Sequence, residues 1–93
     1  MKVAFMLHDE VQFARFLAYA AEHELDVSQC MFPRFIRADF CYFISWSERK
    51  CCCVPVNTAK SAGYYIADEV RIQLDNGGDY ELFVTICYEH IRD

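Results

Sequence analysis

The segment from Asp9 to Leu25 constrains the fold more than any other part of the chain. Asp9 followed three residues later by Gln12 is a capping-box pattern, so the sequence predicts a helix that starts there and runs to about Leu25. On a helical wheel Val11, Phe13, Ala14, Phe16, Leu17, Ala18, Ala20, Ala21 and Leu25 fall in one arc of about 220°, with Gln12, Arg15, Tyr19, Glu22 and His23 opposite. Docking on a sheet needs an apolar stripe of only about 100° or somewhat more. The fold must therefore cover this helix broadly or leave part of it exposed.

The flanking segments read mainly as strands. Lys2 to Leu7 alternates, with Val3, Phe5 and Leu7 on one face and Ala4 and Met6 on the other. Asp26 to Asp39 is a connector broken by Pro33, whose Phe32, Phe35 and Ile36 are expected to fold over an edge of the core. Phe40 to Trp46 and Cys51 to Val56 read as two strands joined by Ser47, Glu48, Arg49 and Lys50. A four-residue turn there pairs Trp46 with Cys51, Ile44 with Cys53 and Phe43 with Val54, and both faces of the hairpin are apolar. Thr58 to Leu74 satisfies two periods. As a helix, capped by Asn57 or Thr58, it gathers Ala59, Ala62, Gly63, Ile66, Ala67, Val70 and Leu74 in one arc, and Asp75 to Gly78 ends it. As a strand it alternates Tyr64, Ile66, Val70, Ile72 and Leu74, interrupted only by Asp68, and Asn76, Gly77 and Gly78 become a hairpin loop with Leu74 opposite Tyr80. The helix is the reading adopted. Tyr80 to Glu89 is a strand on either view.

The order strand, helix, strand, strand, helix, strand makes one α+β domain over residues 1–93. It resembles the split βαβ, or ferredoxin-like, arrangement: a four-stranded antiparallel sheet with two helices on one face. The alternative is a βα unit followed by a β-meander. Pro55 fits the first poorly, because that topology makes the third strand an inner one and proline cannot donate to a ladder.

Net charge of -5 argues against general nucleic-acid binding, which Lys and Arg carry by neutralising phosphates. The opening apolar run, Val3 to Leu7, ends at His8, Asp9 and Glu10, short of a signal-peptide core or a membrane span. A cytoplasmic protein without a membrane partner is expected, its six cysteines reduced. Cys41, Cys51, Cys52 and Cys53 suggest a thiolate metal site, but strand alternation turns Cys51 and Cys53 away from Cys41 and Cys52. No metal and no cofactor are expected. His8, Asp9 and Glu10 sit at a strand-to-helix junction, where capping and the helix dipole account for Asp9 and Glu10. No glycine-rich phosphate loop and no nucleophile signature is present, so no catalytic residue is assigned.

Two helices on one sheet face leave large apolar side chains uncovered. The expected function is a non-catalytic protein-binding module, acting on a protein partner or on itself as a homodimer, through Phe13, Phe16, Phe43, Trp46, Tyr64, Tyr65 and Phe83. In size, acidity and lack of motifs the chain is similar to phage-encoded inhibitors of host defence, such as anti-CRISPR proteins, which implies a blocker of a larger host complex. The alternatives are a dimeric α+β-barrel enzyme or small-molecule binder, then a cysteine-based metal binder. A pocket lined by His8 with Arg34 or Arg37 would favour the enzyme, and convex aromatic patches the binder.

Overall fold

The computed structural model describes residues 2–30, 40–67 and 69–85, Thr85 by its backbone alone. In chain order the elements are β1 (Val3–Ala4), α1 (Glu10–Glu22), β2 (Phe40–Ser45), β3 (Lys50–Pro55), α2 (Val56–Ser61), β4 (Tyr65–Ile66), β5 (Glu69–Leu74) and β6 (Tyr80–Thr85). No described helix is long and apolar enough to cross a membrane. The proposed covering role of Phe32, Phe35 and Ile36 lies outside the described residues, as do Arg34, Arg37, Cys87, His90 and the end of the last strand.

The described strands form three two-stranded ladders. β1 runs parallel to β4, with Val3 beside Tyr65 and Ala4 beside Ile66. β2 and β3 form an antiparallel hairpin, and so do β5 and β6. A single antiparallel pair, Phe5 and Tyr42, joins β1 to β2 through two hydrogen bonds of 2.8 and 2.7 Å. Beyond β3, Asp26 adds a parallel bridge to Lys50. The four-stranded ferredoxin-like sheet is not found among the described residues, where β1 lies beside β2 and β4 rather than between the third and last strands of that topology. A simple meander fails as well, since α2 and a parallel crossover separate β3 from β4.

Two apolar cores lie on opposite sides of the strands, and the helices with them. Phe5, Leu7, Tyr42 and Cys51 face α1, through Phe16, Tyr19 and Ala20, and the β5–β6 hairpin, through Ile72. Ala4 and Cys41 point the other way, against Ala59 of α2. Period-two alternation divides each strand this way, so the expected placement of both helices on one face is also corrected.

Thr58 to Leu74 is not one helix. α2 begins at Val56, behind Pro55, and stops where Gly63 turns left-handed at φ 88°. Tyr65 and Ile66, aromatic and β-branched, then extend beside β1, and Glu69–Leu74 pairs with Tyr80–Thr85 in the rival register, Leu74 opposite Tyr80. Period two prevailed because Ile72, fully buried, needs that face of the hairpin against α1. Pro55 sits exposed as the last residue of β3, where the missing donor does no harm.

α1 begins as expected: Asp9 accepts from the amide of Gln12 at 2.8 Å. Its buried face is narrower than the apolar arc and turned from it. Phe16, Tyr19 and Ala20 are buried, with Gln12, Phe13 and His23 partly so, whereas Val11, Ala14, Leu17 and Ala21 face outward. The cause is the free edge of β5. Gln12 Oε1 accepts from the Ile72 amide at 3.3 Å and Arg15 Nη1 donates to the Ile72 carbonyl at 3.3 Å, while Glu22 Oε2 accepts from the Tyr80 amide at 2.6 Å. Polar side chains of α1 thus cap strand edges that would otherwise leave donors and acceptors open.

Candidate functional site

β1 and β2 pair only at Phe5 and Tyr42, and the ladder does not continue to Val3 and Ile44. Those two residues line two depressions where the strands part. The larger, an open cleft of about 580 Å³, is walled by Phe43, Trp46 and Tyr64, with Lys2, Lys50, Glu48 and Cys52 at its polar parts. The smaller, about 200 Å³, is lined by Val3, Phe5, Ile44, Trp46, Leu82 and Val84. Trp46, 51% exposed, borders both.

Each wall is fixed by a local cause. Trp46 is not the strand's last residue, as its expected pairing with Cys51 required, but the first residue of the turn, because Ser45 pairs with Lys50 and Ile44 with Cys51. This register differs from the expected one by two residues, so every side chain keeps its face. The Trp46 ring lies 5.9 Å from that of His23, which stacks on Tyr19 at 4.2 Å. Arg49 anchors the turn by donating to the His23 carbonyl at 2.6 Å, at the C-terminal end of α1. Phe43 meets Tyr64 with ring centroids 4.5 Å apart, and Lys2 Nζ lies 5.4 Å from the centre of the Tyr64 ring.

The polar rim is solvated. Lys50 Nζ stands 3.5 Å from Glu48 Oε2, and Ser45 Oγ donates to the same oxygen at 3.2 Å. Burial pushes the Cys52 thiol up, with the charge of Lys50 acting against it, so this sulfur stays a thiol at neutral pH. His8 is exposed and lines neither depression.

Of the residues expected to make contacts, the fold brings Phe43, Trp46 and Tyr64 together. Phe16 is fully buried at the centre of the core and is withdrawn from the contact set. Phe13 is partly buried, its ring 6.1 Å from Tyr42. Tyr65 is half-buried in β4, and Phe83, 40% exposed, stands opposite Arg71 on the outer face of its hairpin. Sequence reasoning missed Lys2, Val3, Ile44 and Lys50. Periodicity gives a residue's face but not which strands part beside it, and no local signal marks these four.

The cysteines divide as alternation requires: Cys41 packs toward α2, and Cys51 and Cys53 toward α1. Among the described residues no three His, Cys, Asp or Glu side chains are grouped to hold a metal ion. Comparison with protein-family models, curated proteins and solved structures finds no match for this chain.

Proposed function

We propose that the chain is a non-catalytic protein-binding module whose contact site is the cleft walled by Phe43, Trp46 and Tyr64. The observation that carries this reading is the convergence of three aromatic side chains, from β2, the β2–β3 turn and the segment before β4, on one open depression. Aromatic anchors in a concave centre ringed by charge are the usual energetic core of a protein interface. The cleft is concave rather than the convex patch expected of a binder, which suits a partner that inserts a side chain or a loop. A small acidic blocker of a larger host complex, of the anti-CRISPR kind, is the biological form this module would take.

The volume also lies within the range of small-molecule pockets, about 300 to 1,000 Å³, which sustains small-molecule binding as the second reading. The dimeric barrel loses support, since the described strands form two-stranded ladders rather than an open four-stranded face.

Trp46→Ser and Phe43→Ser test the module. Trp46 is half-exposed, so Trp46→Ser should leave the circular dichroism unchanged while weakening partner recovery and any self-association about tenfold or more, the equivalent of losing roughly 1.5 to 3 kcal/mol of aromatic burial. Unchanged binding by both folded variants would remove the cleft from the interface.

A further inference from the structure

We propose that Cys30 and Cys51 form a redox-active dithiol, which closes to a disulfide by exchange with a low-molecular-weight disulfide such as oxidised glutathione. The backbone places them together. Asp26 donates its amide to the Arg49 carbonyl and accepts from the Cys51 amide, both at 2.9 Å, which holds the chain after α1 alongside β3. The Cys30 amide then turns back to the Val27 carbonyl at 3.0 Å, and Cys30 Sγ donates to the Cys51 carbonyl at 3.3 Å. Cys51 is fully buried, whereas Cys30 is only half-buried.

Their chemistry is unequal in the way exchange requires. Cys51 Sγ donates to the Cys52 carbonyl at 3.8 Å, and the neighbouring Cys51 thiol lowers the Cys30 pKa against burial and the nearby Asp26 charge. The adjacent Cys30 and burial together push the Cys51 thiol far up. Cys30, the less buried of the two, is the attacking sulfur and Cys51 the resolving one. Cys30 thiolate attacks one sulfur of the small disulfide, that S–S bond breaks, and the departing thiolate takes up the proton Cys30 released. Cys51 loses its proton as it attacks the Cys30 sulfur, and the second small thiolate leaves with that proton. Two protein thiols are oxidised and one small disulfide is reduced to two thiols.

The other described cysteines are placed differently. Cys41 lies on the α2 side with its thiol pushed up to about 11 by burial, and Cys52 faces the cleft. Cys53 follows Cys51 by two residues on the same strand face and shares its core.

The test incubates the full chain with oxidised glutathione, alkylates the remaining thiols and maps the digest by mass spectrometry. One disulfide, joining Cys30 to Cys51, is expected. Cys30→Ser should slow the first thiol loss about tenfold or more, and Cys51→Ala should trap Cys30 as the mixed disulfide with glutathione. A disulfide joining another pair, or Cys30 reacting no faster than Cys52 in the folded chain, overturns the proposal. Because Cys51 is in the core, Cys51→Ala can fail to fold. Wild-type mapping and Cys30→Ser then decide the question by themselves.

Discussion

Glu24 holds a left-handed backbone, φ 55°, two residues past the end of α1. Its amide reaches the Ala21 carbonyl at 3.2 Å and the Leu25 amide reaches Ala20 at 2.8 Å, which is the Schellman closure, with Leu25 and Ala20 sharing the core beneath it. A glutamate there carries a strain that glycine would not. Its ion pair with Arg49, 3.9 Å long and largely solvated, offsets little. Glu24→Gly should stabilise the protein by about 1 kcal/mol, read from the urea midpoint. Two residues on, the Asp26 carboxylate accepts from the Ser28 amide at 2.8 Å, and this hydrogen bond holds its pKa below the ordinary 3.8. A depressed carboxylate contributes stability that is present above the unfolded pKa and lost as pH falls through the folded one. Asp26→Asn should therefore be less stable than wild type at neutral pH, with the gap closing below pH 3.8 in urea titrations across pH. A gap independent of pH would assign the effect to something other than the charge. Both residues stand in a stretch the sequence marked only as where a helix gives way to a connector.

At the scale of elements, the β5–β6 hairpin shows where a local pattern needed a neighbour to decide it. Asp75 closes its turn by accepting from the Gly77 and Asp79 amides, both at 2.8 Å, and Gly78 follows at φ 89°. An added Cβ at Gly78 meets nothing within 4 Å, so the cost of Gly78→Ala is backbone strain alone, about 1 to 2 kcal/mol. Gly77→Ala lacks that strain and makes only an ordinary 3.4 Å contact with Asp75, so it should change stability by less than about 0.5 kcal/mol. Thermal unfolding of the two variants checks the contrast, and equal effects would mean the turn does not depend on a left-handed residue. The sequence did hold the Leu74–Tyr80 register as its second option. A helical arc was equally present in the same residues, and only the demand of α1 for an apolar partner at Ile72 separated the two.

At the scale of the whole molecule, Phe16 and Tyr42 join the parts. Phe16 lies 5.5 Å from Phe5 and 6.3 Å from Tyr42, ring to ring, and Tyr42 pairs with Phe5 across the junction of β1 and β2. Phe16→Ala should cost about 3 to 5 kcal/mol, against a total stability of order 5 to 15 kcal/mol for a domain of this kind, and should collapse helix and hairpin signals together in one transition. Separate transitions by circular dichroism and Trp46 fluorescence would show the two cores to be independent. By itself the sequence determined what depends on near neighbours in the chain: the cap at Asp9, the strands of the β2–β3 hairpin, the face of each strand residue, and the aromatic character of Phe43, Trp46 and Tyr64. The tertiary structure alone decided which strands pair with β1, that the helices take opposite faces, that Thr58 to Leu74 breaks at Gly63, and that β1 and β2 part to open the cleft. Capping and alternation are set within a few residues, whereas strand partners are chosen by contacts between distant segments, and one sequence pattern is compatible with several such choices.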